Sequence, residues 1–106
     1  MAERGPLLEI ATPLGFIVSL SHEHWAVIQR FKHRDMSGRL AEVQLALAEP
    51  DEVRLSRRDP NTYLFYRVVG TRRFICAVTR VASGSGTLAT VYETARVKQG
   101  VLVWPR

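Results

Sequence analysis

Cysteine, lysine and long apolar runs are all scarce in this chain of 106 residues. Its one cysteine, Cys76, lies between apolar neighbours and cannot form an internal disulfide, so a buried small side chain is expected there. No apolar run approaches the roughly 20 residues that a membrane-spanning helix needs, so no membrane partner is expected. The first residues do not resemble a secretory leader, and the cytoplasm is therefore the expected compartment.

Several motifs that would define a chemistry are also missing. Walker, Rossmann, nucleophile-elbow, zinc-finger and RNP aromatic patterns do not occur. The three histidines, His22, His24 and His33, lie within twelve residues of one another. However, His22 and His24 would point in different directions on a helix, and neither belongs to an HExxH or Cys/His motif. The sequence therefore predicts neither a metal nor a cofactor.

Charge is divided unequally along the chain, whose net charge is +5. Residues 1–52 carry five Lys/Arg against eight Asp/Glu, whereas residues 53–106 carry ten against two. Arginine supplies thirteen of the fifteen cations, and its planar guanidinium suits bidentate contacts with phosphate. A basic half of a domain is expected of nucleic-acid binding, although a solvated arginine-rich surface would have the same composition.

The N-terminal half predicts a hairpin followed by two helices. Strands at residues 7–10 and 16–20 flank a Pro-Leu-Gly turn. A helix begins after Ser21, a good N-cap, and its apolar residues Trp25, Ile28 and Phe31 recur every three positions along one side. A second amphipathic helix covers residues 39–48 and is stopped by Pro50.

The C-terminal half changes to β character, with strands predicted at residues 52–56, 63–69, 74–81, 88–94 and 101–104. We therefore expect one α+β domain covering residues 1–106. In it, an N-terminal hairpin and two helices pack on one face of a four-stranded (or larger) twisted antiparallel sheet. The other sheet face is expected to be partly free for a ligand.

The residues suggest acid–base chemistry at His33, since an imidazole can accept or donate a proton at neutral pH. The competing interpretation is that His33 only helps to end the first helix. Thr90, Tyr92 and Thr94 alternate onto one sheet face, where hydroxyls suit a phosphate or a ribose. Threonine and tyrosine are also simply good strand formers.

Short motifs in a particular order run through most of the chain. They are W-x-x-I at Trp25 and Ile28, H-x-x-M at His33 and Met36, Pro50-Asp51, T-x-Y-x-T at Thr90, Tyr92 and Thr94, K-x-G at Lys98 and Gly100, and Trp104. In this order the chain resembles the small RNase-fold domains of the barnase–EndoU–colicin–RelE family. The resemblance implies two N-terminal helices against a four-stranded antiparallel sheet, a metal-independent RNase site on the exposed sheet face, and toxins held by antitoxins.

One departure from the family pattern bears on catalysis. Val27 stands where relatives often have a histidine, which implies either an inactive member or the use of His24. The leading hypothesis from the sequence is a metal-independent ribonuclease of the toxin type, cleaving RNA such as tRNA or mRNA and bound by an antitoxin or immunity protein. A non-catalytic nucleic-acid or ribosome binder and a protein-interaction module are the alternatives. The predicted catalytic residues are His33, Tyr92 and Thr94, and the predicted substrate-binding residues are Lys32, Arg67, Arg73, Thr90 and Lys98.

Overall fold

The structure, a computed structural model, describes residues 5–97 and 100–105. Its strands are β1 Leu8–Ala11, β2 Ile17–Leu20, β3 Glu52–Leu55, β4 Thr62–Gly70, β5 Arg73–Ala82, β6 Ser85–Thr94 and β7 Val101–Trp104. Two α-helices, α1 His22–Val27 and α2 Leu40–Ala48, lie between β2 and β3, separated by a π-helical turn Ile28–Lys32 and a 3₁₀ turn Arg34–Met36. Within the described residues, no helix is long and apolar enough to cross a membrane.

All seven strands form one sheet in the order β1-β2-β6-β5-β4-β3-β7. Strand β2 runs parallel to β6, with Ile17 opposite Ser85, and every other neighbouring pair is antiparallel. The predicted RelE/barnase-like sheet with two packed helices is therefore wrong: the sheet is seven-stranded and mixed, and both helices are short. The difference arises because the N-terminal hairpin is not separate from the sheet but extends it beyond β6.

The main hydrophobic core lies between the sheet and the helices. Helix α2 contributes Val43, Ala46 and Leu47 to it, and β4 and β5 contribute Phe65, Ile75 and Ala77 from the facing side of the sheet. We call this side of the sheet the core face. Because alternate strand residues point to opposite sides, the residues between these belong to the other side, the second face.

The second face carries a smaller apolar cluster. Leu64, Tyr66 and Cys76 are buried there, with Phe74, Val78, Tyr92 and Val97 packed around them. Val97 follows the end of β6 and helps to cover the cluster. The expectation of a buried cysteine is confirmed. The second face is thus partly closed by apolar packing.

The first helical segment, residues 22–36, is less regular than its sequence pattern predicts. The Ser21 hydroxyl accepts the His24 N–H at 3.0 Å and caps α1 as expected. The chain then widens, because the His33 N–H donates to the Ile28 carbonyl five residues earlier at 2.7 Å. Ile28 is fully buried, whereas Phe31 is 74% exposed, so the predicted apolar side that included Phe31 is wrong. The wider turn rotates Phe31 away from the core.

This helical segment also covers the part of β6 that β2 leaves unpaired. Strand β2 reaches only to Thr87 of β6. Beyond that point, His24 Nε2 donates to the Ala89 carbonyl at 2.8 Å, and the Glu93 N–H donates to an Asp35 carboxylate oxygen at 3.4 Å. These two bonds attach the segment to the strand on both sides of the π-helical turn, so the turn is held at a fixed place along the sheet.

Candidate functional site

His33, the predicted acid or base, lies against the second face. Its half-buried imidazole packs on the Tyr92 ring, with the two ring centroids 5.3 Å apart and an interplanar angle of 35°. Two of the three residues that the sequence predicted as catalytic, His33 and Tyr92, are therefore in contact. The contact is a ring packing, which places the His33 side chain at the end of the helical segment beside β6.

The hydroxyls predicted to act with His33 are already engaged or enclosed. Burial, and next the neighbouring Cys76 thiol, raise the pKa of Tyr92 well above its ordinary value, so its phenol does not release a proton near neutral pH. The Thr94 hydroxyl donates to the Arg96 carbonyl at 3.2 Å and accepts the Arg96 N–H at 3.3 Å. The Thr90 hydroxyl is enclosed with no hydrogen-bond partner among the described residues. The catalytic roles remain predictions.

Two of the predicted substrate-binding arginines lie on the opposite side of the sheet from Tyr92. Arg67 is paired with Ile75 and therefore shares the core face, where its Nη1 donates to the Glu49 carbonyl at the end of α2, 2.6 Å away. Arg73 also lies on the core face and forms a bidentate ion pair with Glu93, in which both N–O distances are 3.0 Å. The structure therefore does not bring Arg67 or Arg73 together with His33.

Glu93 connects Arg73 to the start of α2, and this network gives a pH-dependence prediction. Arg73, and then Arg39, lower the pKa of Glu93 from its ordinary 4.5 to about 2. Because the fold favours the ionised carboxylate, its stabilisation is complete above pH 4.5 and is lost as the pH falls towards 2. Glu93→Gln is expected to lower the free energy of unfolding at pH 7 by up to about 1 kcal/mol, the range for partly exposed pairs, and by less at pH 3.

Urea unfolding of wild type and Glu93→Gln at the two pH values measures this difference. Glu9→Gln, at an exposed position of β1, is the control and is expected to leave stability unchanged. A Glu93→Gln effect that stays the same from pH 7 to pH 3 would contradict the ionic origin of the stabilisation.

The basic C-terminal half therefore does not present all of its charge to solvent. Arg54 bonds Glu52 and the Gly100 carbonyl, in addition to the contacts of Arg67 and Arg73. Lys98 lies outside the described residues. Lys32, the remaining predicted substrate-binding cation, is exposed at the end of the π-helical turn.

A groove on the outer side of the helical segment brings together residues that the sequence patterns did not predict as a site. It has a volume of about 460 Å³, is open to solvent, and is lined by Ala26, Gln29, Arg30, Arg34 and Ser37. The Gln29 side chain, which lines the groove, is held in place because its Oε1 accepts the Gly38 N–H at 3.0 Å. Arg34 Nε donates to the Arg30 carbonyl at 3.3 Å, which directs its side chain back along the groove.

The two arginines of this groove have no carboxylate partner among the described residues. The nearest acidic residue in sequence, Asp35, directs its carboxylate to the Glu93 N–H instead. The exposed Arg30 and Arg34 therefore form a positive surface that can accept phosphate through guanidinium N–H groups. We call this surface the basic groove.

The signal for the basic groove was present in the sequence as Arg30-Phe31-Lys32, followed by Arg34. Three cations within five positions around an aromatic residue are typical of nucleic-acid contacts. The wider sequence pattern predicted otherwise, because the helical period places Phe31 in the core and the charge balance favours the C-terminal half.

Comparisons with protein-family models, with curated proteins and with solved structures find no match. The described residues contain no group of three or more His, Cys, Asp or Glu side chains that could hold a metal ion. The structure itself defines a seven-stranded mixed sheet with two short helices and a basic groove on the irregular helical segment.

Proposed function

We propose that this protein binds nucleic acid, with RNA as the first candidate, through the basic groove and without cleaving it. The observation that carries the proposal is a groove of about 460 Å³ whose charged lining consists of Arg30 and Arg34, neither of them paired with a carboxylate among the described residues. Phosphate contacts from arginine dominate the affinity of proteins for nucleic acid. An open groove suits a polymer that passes along it, whereas a small ligand is usually enclosed in its pocket.

The same chemistry favours binding over catalysis. A metal-independent ribonuclease needs an acid, a base and cations around one phosphate. His33 packs on Tyr92 on the second face, whereas the predicted cations Arg67 and Arg73 lie on the core face. Ribonuclease activity, an antitoxin partner and a cytoplasmic location stay predictions from the sequence.

Titration of a labelled RNA in EDTA over a range of salt concentrations tests the proposal. Wild type is expected to bind with an affinity that falls steeply with salt, because neutralised phosphates release counterions. Arg34→Gln should weaken binding several-fold and reduce the slope of log K against log salt by about one. Arg58→Gln is the matched control, since Arg58 is also exposed but lies in the turn between β3 and β4.

The same samples decide between binding and cleavage. Under the proposal, total RNA incubated with wild type or with His33→Ala in EDTA remains intact. Cleavage by wild type that is lost in His33→Ala would instead establish the ribonuclease hypothesis and make His33 part of its site. Absence of RNA binding at low salt, or equal effects of Arg34→Gln and Arg58→Gln, would overturn the basic groove as a nucleic-acid site.

A further inference from the structure

We infer that the basic groove takes a single strand, one of whose bases stacks on the exposed ring of Phe31. This inference rests on the proposed function and names the form of nucleic acid that the site selects. It comes from a feature that phosphate binding alone does not require, an exposed aromatic side chain in the same π-helical turn as two exposed cations. Phe31 is 74% exposed, and Arg30 and Lys32 beside it are both exposed.

The exposure of Phe31 follows from the backbone. In a regular α-helix continuing from α1, Phe31 would lie about 60° around the axis from Ile28. The π-helical turn Ile28–Lys32 has a wider ring, which moves Phe31 further around the axis from Ile28. Such turns are rare and are found frequently at functional sites. The π turn therefore keeps Ile28 in the core and presents Phe31 to solvent within one helical turn.

The surroundings of Phe31 suit a base better than an apolar partner surface. Val27, four positions earlier, is another exposed apolar residue, and the residues that flank Phe31 in the π turn are Arg30 and Lys32. An exposed ring in a turn that also carries two exposed cations can receive a base on its face while the cations contact phosphates of the same strand. A docking protein would have to cover these cations with carboxylates of its own.

Stacking on Phe31 requires an unpaired base. In a duplex, each base face is already covered by its neighbours, and only base edges and the backbone are accessible to a protein. In a single strand, base faces are free, and stacking on an aromatic side chain is tolerant of sequence. Phe31 is therefore expected to contribute to the affinity for single strands and not to the affinity for duplexes.

Binding of a labelled 12-nucleotide single-stranded RNA, the matching DNA and the matching duplex RNA tests this inference. Phe31→Ala should weaken single-strand binding about tenfold without changing its salt slope, because no charge is removed. Duplex binding should not change. Phe31→Trp should retain single-strand affinity and show quenching of the added indole fluorescence when the strand binds. Comparison of the RNA and DNA strands tells which sugar the site accepts.

Val27→Ala is the matched control, since it also truncates an exposed apolar side chain of the helical segment. Unchanged single-strand binding by Phe31→Ala, or equal losses for single strand and duplex, would overturn the stacking role. Failure of the proposed function has a different signature, because wild type would then bind none of the three probes. Binding of the probes that is insensitive to Arg34→Gln also counts against the proposed function and not against stacking alone.

Discussion

Replacing Ile28 with alanine is expected to lower the free energy of unfolding by about 3 to 4 kcal/mol, as for other fully buried isoleucines. Ile28 is 0% exposed and belongs to the main core together with Trp25 and Met36. It is also the first residue of the π-helical turn, so its side chain fixes this turn against the sheet. Alanine leaves a cavity that the surrounding residues fill only in part.

Val27→Ala is the natural control for this prediction. It truncates the preceding residue, which is 41% exposed, and is expected to change stability by less than about 0.5 kcal/mol. Urea unfolding followed by tryptophan fluorescence measures both variants, since Trp25 is buried beside the site of the change. Losses of similar size from the two substitutions would contradict the assignment of Ile28 as the anchor of the helical segment.

Reversing both charges of the basic groove is expected to abolish RNA binding at moderate salt. The double variant Arg30→Glu/Arg34→Glu replaces two phosphate contacts with two repulsions, so we expect a loss of at least about 100-fold. Folding should be preserved, because both side chains are exposed and neither has a carboxylate partner among the described residues. Thermal unfolding checks that preservation, and fluorescence anisotropy with labelled RNA measures the loss.

A second double variant separates this local effect from the effect of total charge. Arg57→Glu/Arg58→Glu also lowers the net charge from +5 to +1, at the turn between β3 and β4. A long-range contribution of net charge should weaken RNA binding equally in the two variants, and mainly at low salt. We expect the groove variant to lose far more. Equal losses would mean that RNA contacts the whole surface and that the groove has no special role.

Local sequence signals located most elements of the fold closely. The strand predicted at residues 101–104 agrees with β7, and the helix predicted at 39–48 agrees with α2 to within one residue. These elements depend on alternation, on the i, i+3, i+7 stripe and on Pro50, which are all properties of neighbouring residues. Strand order is not such a property. Nothing within residues 17–20 specifies that they pair with β6 in parallel.

The same contrast between local sequence patterns and strand pairing explains which site residues were placed together correctly. The alternation of β6 correctly placed Tyr92 and Thr94 on one side of the sheet, and His33 does contact Tyr92. Arg67 and Arg73 lie on the other side, because their side relative to Tyr92 depends on the register between β4, β5 and β6, which alternation within one strand does not determine. Phe31 was misplaced because a π turn leaves no simple periodic signature in sequence. Its exposure depends on burial of Ile28 against distant strands.

The parallel pairing of β2 with β6 has a consequence for how the chain folds. The Ser19 hydroxyl approaches the Gly86 carbonyl across 67 positions of sequence, and Val18 and Leu20 of β2 are almost fully buried. Closing so long a loop is slow compared with forming hairpins such as β4–β5 or β5–β6. During synthesis, the N-terminal hairpin is made before β6. Its apolar side chains can therefore join the sheet beside β6 only after synthesis has passed that strand.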